Sequence, residues 1–153
     1  MCIYFNYYEF IKSDKAEELN IDNEPKDDDT IDNIIELMRV MDKIRAKWTV
    51  YVRENCLGSP AIVINSGYRC NDLNEAVKGA KTSAHKIGSA CDFEAVNGQN
   101  KALFDVALEV LIEENIEFEE IINEHNYAWI HLALQNQWGE RKKEIIGYEG
   151  KGI

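Results

Sequence analysis

The chain lacks the features that would place it among disulfide-rich, nucleic-acid-binding or membrane-surface proteins. Its cysteines number four and form no C-x-x-C pair, which in a chain of 153 residues argues against a disulfide scaffold. Lys and Arg number 17 against 28 Asp and Glu, so the net charge is -11. Binding to a phosphate backbone needs clustered Lys and Arg, and we therefore expect neither a nucleic-acid partner nor an anionic membrane surface.

Long apolar segments are also absent. No apolar run approaches the ~20 residues that a membrane-spanning helix requires. The first ten residues contain no basic leader, no long apolar stretch and no small-residue cleavage site, so they do not resemble a Sec-type signal peptide. We expect synthesis in the cytoplasm, no membrane span, and another route of release if the protein acts outside the cell.

The remaining composition is that of an ordinary globular domain. Hydrophobic residues make up 45% of the chain and charged residues 29%, which is typical of folded proteins. A chain of this length can bury one sizeable core, and it shows no internal repeat and no sign of a second domain. We predict a single domain over residues 1–153.

Apolar periodicity predicts both helices and strands. Apolar residues recur mostly at three- and four-residue steps over 31–52, which predicts the longest helix, with Asp29 or Thr30 placed to cap it. A short helix is predicted over 71–77, and Asn100 opens another clear helix. Helices come first and strands cluster late, which favours an α+β fold with a small, mostly antiparallel sheet packed against helices. Predicted strands cover 61–65, 89–95, 118–123, 128–134 and 144–148.

Two histidines and an aspartate form the strongest chemical signal. His85 and Asp92 stand seven residues apart, and His131 follows on another predicted strand. Two imidazoles and one carboxylate suit a zinc ion with a fourth position left open for water, which is typical of a catalytic centre. Gly88 permits a tight turn after His85, and His131 can meet Asp92 across the sheet. Cys91 points to the opposite strand face, so we expect it in the core.

A longer set of residues surrounds these candidate ligands. The set comprises Ser66-Gly67-Tyr68-Arg69, Asn74, Val77, Gly79 and Lys81, a Ser83-x-His85-x-x-Gly88-x-Ala90-x-Asp92 element, and Trp129-x-His131. Together they resemble the zinc D-Ala-D-Ala carboxypeptidase family, and most of all its short single-domain members from phages and prophages. The resemblance covers about residues 4–134. It implies the fold shared with the hedgehog signalling domain, one zinc ion, and a peptidoglycan stem peptide as substrate.

The resemblance also implies roles for individual residues. Zinc would be bound by the two histidines and the aspartate described above. Arg69 matches the family arginine that holds substrate and stabilises charge on the attacked carbonyl, and a guanidinium fork suits an oxyanion or a carboxylate. Ser83 matches a position near the bound substrate, and Trp129 is expected to line the cleft.

The general base has two candidates. Several family members place an acid three residues before the last histidine, but this chain has Ala128 there. The short phage-like members tend to carry a glutamate at the end of the preceding strand, and Glu124 fits that description. Glu94 competes with it, because it lies on the same predicted strand face as Asp92. Either carboxylate could accept a proton from a water at the metal.

These observations predict a zinc peptidase that hydrolyses peptidoglycan stem peptides, of either carboxypeptidase or endopeptidase type. We expect it to act on the cell wall after release, in a phage or prophage lysis context. Two alternatives stay open. The absent acid at Ala128 leaves room for a catalytically inactive, zinc-containing module that binds the cell wall or a phage particle. An inert structural component of a phage particle would contain no metal.

Overall fold

A computed structural model of the protein describes residues 2–149. Met1 and residues 150–153, which the predicted domain also includes, lie outside the described residues. Among the residues described, no helix is both long and apolar enough to cross a membrane. The helices are α1 (Asp14–Glu18), α2 (Asp28–Glu54), α3 (Asn71–Ala76) and α4 (Asn100–Glu113), with 3-10 helices at Tyr7–Phe10 and Ala84–Ile87. The strands are β1 (Ile62–Ser66), β2 (Ala90–Ala95), β3 (Glu120–Glu124), β4 (Trp129–Ala133) and β5 (Glu144–Ile146).

Helix α2 is the longest element, with 27 residues, or about 40 Å at ~1.5 Å per residue. Its buried residues recur at steps of three and four, so one side of the helix faces the core along its whole length. The N-cap is Asp27, and the predicted caps Asp29 and Thr30 are wrong. The Asp27 carboxylate accepts a hydrogen bond from the backbone nitrogen of Thr30 at 2.9 Å. The cap was misplaced because the helix begins at Asp28, three residues before its apolar pattern.

The strands form one five-stranded sheet in the order β1-β2-β4-β3-β5. The pairs β1/β2, β2/β4 and β3/β4 are antiparallel, and the edge pair β3/β5 is parallel. This arrangement confirms the predicted α+β class with a small, mostly antiparallel sheet. In the β2/β4 pair, Asp92 lies directly opposite His131.

One face of the sheet is covered by the helices. The other face, called the open face below, is only partly covered. Side chains alternate along each strand, and the covered face presents Cys91 and Phe93 of β2, which are fully buried. Cys91 therefore points into the core, as predicted. Helices α2 and α4 pack together beside this face. The largest fully buried side chains include Trp48, Phe10, Phe93, Phe104, Ile34, Leu37, Met41 and Ile44.

Several predicted boundaries are shifted in the structure. Strand β3 begins at Glu120 instead of residue 118, and β5 ends at Ile146 instead of residue 148. The N-cap of α3 is Cys70, whose sulfur accepts a hydrogen bond from the Leu73 nitrogen at 3.5 Å. These ends depend on local hydrogen bonds that an apolar pattern does not encode.

Asn100 connects three parts of the chain that flank the open face. Its side-chain oxygen accepts a hydrogen bond from the backbone nitrogen of Ala95, at the end of β2, at 2.7 Å. Its side-chain nitrogen donates to the carbonyl oxygens of Tyr127 at 2.9 Å and Ala128 at 3.1 Å. Because Asn100 is buried, it holds the turn between β3 and β4 against the start of α4.

Replacing Asn100 with Ala should lower the free energy of unfolding by about 2–4 kcal/mol, because buried backbone groups lose their partners at ~1–3 kcal/mol each. Urea unfolding monitored by circular dichroism measures the change. Gln99→Ala is the matched control, since Gln99 is exposed and its side chain makes no capping hydrogen bond. Equal stability of the two variants would show that the Asn100 hydrogen bonds contribute little.

Candidate metal centre

His85 is presented by a short, tightly held segment. It lies in the 3-10 helix Ala84–Ile87, and the Ser83 hydroxyl caps that helix by accepting a hydrogen bond from the His85 nitrogen at 3.2 Å. Gly88 ends the helix with φ of 77°, in the left-handed region. A Cβ atom on Gly88 would also lie 2.8 Å from the Thr30 oxygen of α2. The predicted tight turn between His85 and β2 is therefore present.

The orientation of the His85 ring is set by a backbone carbonyl. His85 Nδ1 lies 2.7 Å from the Gly67 oxygen, and since a carbonyl oxygen only accepts, Nδ1 carries the hydrogen in this pair. The other nitrogen, Nε2, lies 3.4 Å from Asp92 Oδ2. Burial lowers the pKa of His85, which favours the neutral imidazole that a metal ion needs.

Asp92 and His131 meet across neighbouring strands. His131 Nδ1 lies 2.9 Å from Asp92 Oδ1, as their directly opposed positions in β2 and β4 allow. Burial alone would raise the pKa of Asp92, but hydrogen bonds with His131 and His85 outweigh it and hold that pKa well below its usual range. The Asp92 side chain is therefore a carboxylate, the form that binds a cation.

The three side chains form a group that can hold a metal ion. One donor atom each from His85, Asp92 and His131 lies within 4.8 Å of the other two. Across residues 2–149, no fourth His, Cys, Asp or Glu joins this group. Two nitrogens and one oxygen, with a position left for solvent, match the ligand set of catalytic zinc sites.

Glu120 is a neighbour of this group that the sequence did not reveal. Its Oε1 lies 3.3 Å from His131 Nε2, the ring nitrogen that does not face Asp92. Burial alone would lower the pKa of His131, but hydrogen bonds with Asp92 and Glu120 outweigh it and raise that pKa to about 9. Only the strand register could have revealed Glu120, because it precedes His131 by eleven positions and lies on another strand.

Arg69 lies beside Asp92 in a network of polar contacts. Its Nη2 lies 3.6 Å from Asp92 Oδ2. Its Nε donates to the Ser66 hydroxyl and its Nη1 to the Asn74 side-chain oxygen, each at 3.2 Å. A Cβ atom on Gly79 would lie 2.8 Å from Arg69 Nη1 and would also clash with Asn74. The absence of a side chain at Gly79 therefore leaves room for this network.

Glu124, Trp129 and Glu94 lie one row away from the metal group on the open face. Glu124 is directly opposite Trp129, which lies two residues before His131 on β4. Glu94 lies two residues after Asp92 on β2, and all three side chains are partly exposed. Residues two apart on a strand share a face. Both candidate bases are therefore on the face that carries the metal group.

The turn that follows Glu124 has an unusual backbone. His125, Asn126 and Tyr127 have φ of 47°, 56° and 64°, a region that residues other than glycine rarely adopt. The Asn123 side chain accepts a hydrogen bond from the Tyr127 nitrogen within this turn, and the His125 ring lies 4.8 Å from the Trp129 ring. Such backbone conformations cost ~1–3 kcal/mol each and cluster at functional sites.

The geometry agrees with a comparison of the sequence with known protein families. The sequence profile of peptidase M15 matches residues 3–133, which is most of the chain. The chain belongs to the peptidase M15 family. This result confirms the resemblance to zinc D-Ala-D-Ala carboxypeptidases that the sequence motifs indicated. A search of curated individual proteins finds none that matches.

Members of the peptidase M15 family are zinc-dependent metallopeptidases, and their substrates are peptides. The donors present fit zinc, because two imidazoles and a carboxylate suit it and, over residues 2–149, no fourth His, Cys, Asp or Glu completes the set. The described cysteines do not join them: Cys91 is fully buried beside Asp92, and burial raises the pKa of its thiol well above the usual value.

Proposed function

We propose that the chain is a single zinc peptidase domain, over residues 1–153, that hydrolyses peptidoglycan stem peptides. The observation that carries the proposal is the convergence of His85, Asp92 and His131 in a chain of the M15 family. The Asp92 and His131 side chains are 16% and 12% exposed, so the group is accessible from the open face.

Hydrolysis of a peptide requires a water molecule, a base and stabilisation of the carbonyl oxygen. When bound, zinc would polarise the carbonyl and lower the pKa of the attacking water. Glu124 would accept a proton as the water oxygen bonds to the carbonyl carbon. As the C–N bond breaks, Glu124 would return that proton to the leaving amine. A carboxylic acid and a free amine would result, and the acid would then release its proton to solvent.

Arg69, Ser83 and Trp129 would position the substrate. The Arg69 guanidinium would donate to the carbonyl oxygen as negative charge develops there. This role is supported by its contact with Asp92, which brings the guanidinium next to the metal group. Trp129 would form a wall of the cleft between Glu124 and Glu94. Ser83 would contact the substrate from the loop that its hydroxyl caps.

We also propose that the protein acts on the cell wall after release, in a phage or prophage lysis context. The support is the resemblance of its motifs to the short phage-type members of the family. The bond cleaved would lie in the stem peptide, at a D-Ala-D-Ala or an L-Ala-D-Glu junction. Mass spectrometry of digested muropeptides identifies the bond from the masses of the fragments.

Purified protein incubated with peptidoglycan is expected to release fragments carrying new amine groups, and a zinc chelator should stop the release. Restored activity on adding zinc back would exclude damage by the chelator. The same experiment tests the alternative of a catalytically inactive binding module, which the absence of an acid at Ala128 leaves open. Zinc-loaded protein that binds peptidoglycan without releasing fragments would identify a binding module, and release unaffected by chelator would contradict a metallopeptidase.

A further inference from the structure

Glu120 approaches His131 from the side of the ring away from Asp92. Its Oε1 lies 3.3 Å from His131 Nε2, whereas Asp92 Oδ1 lies 2.9 Å from His131 Nδ1. The two ring nitrogens therefore have separate partners. Nδ1 faces Asp92, a member of the metal group, and Nε2 faces Glu120.

The register of β3 and β4 explains how Glu120 reaches the ring. Ile122 is the residue directly opposite His131, and Glu120 lies two residues away on the same strand face. Such diagonal neighbours are ~7–8 Å apart at the backbone, within reach of a long side chain. The residue directly opposite Glu120 is Ala133, whose small side chain leaves space for the carboxylate to lean toward His131.

We infer that Glu120 is the positioning residue of His131, an inference that rests on the proposed zinc centre. With zinc present, the Glu120 carboxylate would accept a hydrogen bond from His131 Nε2–H. That bond would fix the ring orientation and direct the lone pair of Nδ1 toward the metal. A carboxylate in this position also strengthens the imidazole as a ligand, and loss of such a partner typically weakens metal binding.

The two histidines of the group would then be held by different kinds of acceptor. His85 Nδ1 donates to a neutral backbone carbonyl at Gly67, whereas His131 Nε2 faces a charged carboxylate. No substitution of a side chain removes the Gly67 carbonyl, but a single substitution removes the Glu120 carboxylate. The contribution of Glu120 is therefore open to a direct test.

Glu120 differs from the candidate bases in its position and contacts. It lies at the opposite end of β3 from Glu124, and it is 28% exposed while it contacts the ligand ring. Its contact is with the ring nitrogen of His131 that does not face Asp92. Glu120 is thus assigned to holding His131, and proton transfer stays with Glu124.

The test is zinc affinity, measured by competition with a fluorescent chelator, for wild type, Glu120→Gln and Glu120→Ala. We expect zinc binding to weaken by ~10–100-fold when the carboxylate is lost, and more in Glu120→Ala than in Glu120→Gln, since an amide oxygen still accepts. Glu144→Gln is the matched control. Glu144 lies directly opposite Glu120 on β5 and is exposed, so its replacement removes a nearby charge and should change affinity less than ~2-fold.

A spectroscopic readout separates positioning from a general loss of structure. In zinc-loaded wild type, nitrogen NMR of the imidazoles should show a protected His131 Nε2–H, and Glu120→Ala should lose that protection while the backbone spectrum is retained. Unchanged zinc affinity in both Glu120 variants, with normal binding by wild type, would overturn this inference alone. Wild-type protein that binds no zinc would overturn it together with the proposed function.

Discussion

Replacement of Asp92 by Asn is expected to abolish stable zinc binding and, with it, peptide hydrolysis. Asp92 joins the two imidazoles of the centre, because its Oδ1 lies 2.9 Å from His131 and its Oδ2 lies 3.4 Å from His85. An amide carries no charge and offers one acceptor atom instead of two. Since loss of an outer-shell partner alone costs ~10–100-fold in metal affinity, loss of a direct ligand should exceed about 100-fold.

Zinc content per chain after dialysis, together with the rate of muropeptide hydrolysis, measures the effect of Asp92→Asn. Glu94→Gln is its matched control for metal content. Glu94 lies two residues further along β2, on the same face, and its replacement also removes one negative charge. We expect Glu94→Gln to retain one zinc ion per chain. Stoichiometric zinc in a folded Asp92→Asn protein would contradict the proposed ligand set.

The helices were predictable because their apolar residues follow the helical period. Helix α2 extends over Asp28–Glu54 and covers the predicted segment 31–52, where apolar side chains recur at three- and four-residue steps. Its true start at Asp28 depends on the Asp27 cap. The cap is a single hydrogen bond between the Asp27 side chain and the Thr30 nitrogen. The neighbouring aspartates Asp28 and Asp29 have the same side chain, so the sequence did not single out Asp27.

The sheet was predictable in class but not in order. Alternating apolar residues identify a strand, but they do not state which strand it pairs with or in which register. The sequence therefore did not predict that β4 lies between β2 and β3, or that β5 pairs in parallel with β3. Asn100 was predicted only as the start of a helix, because its three backbone partners become neighbours only after the chain folds.

The same difference applies to the candidate site. The metal group was predicted because His85 and Asp92 are close in sequence and His131 belongs to a specific motif. Glu120 was missed because its contact with His131 depends on the strand register. The two residues come close because Ile122, two residues after Glu120, lies directly opposite His131. The candidate metal ligands thus left a local signature in the sequence, whereas Glu120, the residue we infer to position His131, did not.

Replacement of Glu124 by Gln is expected to lower kcat by ~10²–10⁴-fold, the range that general acid–base catalysis contributes, while zinc stays bound. The amide has nearly the same shape as the carboxylate but cannot accept the proton of the attacking water. The position of Glu124 favours this role. It is the last residue of β3, opposite Trp129, and the left-handed turn that follows it fixes the direction of the chain.

Single-turnover hydrolysis of a muropeptide by zinc-loaded protein measures this effect, and elemental analysis confirms that the metal is present. Glu94→Gln tests the competing assignment of Glu94 as the base. Glu94 lies on β2 and Glu124 on β3, on the same face of the sheet and on opposite sides of Trp129. If Glu124 is the base, Glu94→Gln should retain kcat within about an order of magnitude, well short of the ~10²-fold minimum for loss of a base. A large loss of kcat in Glu94→Gln, together with an active Glu124→Gln, would identify Glu94 as the base. If neither variant lost activity, both carboxylates would be excluded as the base.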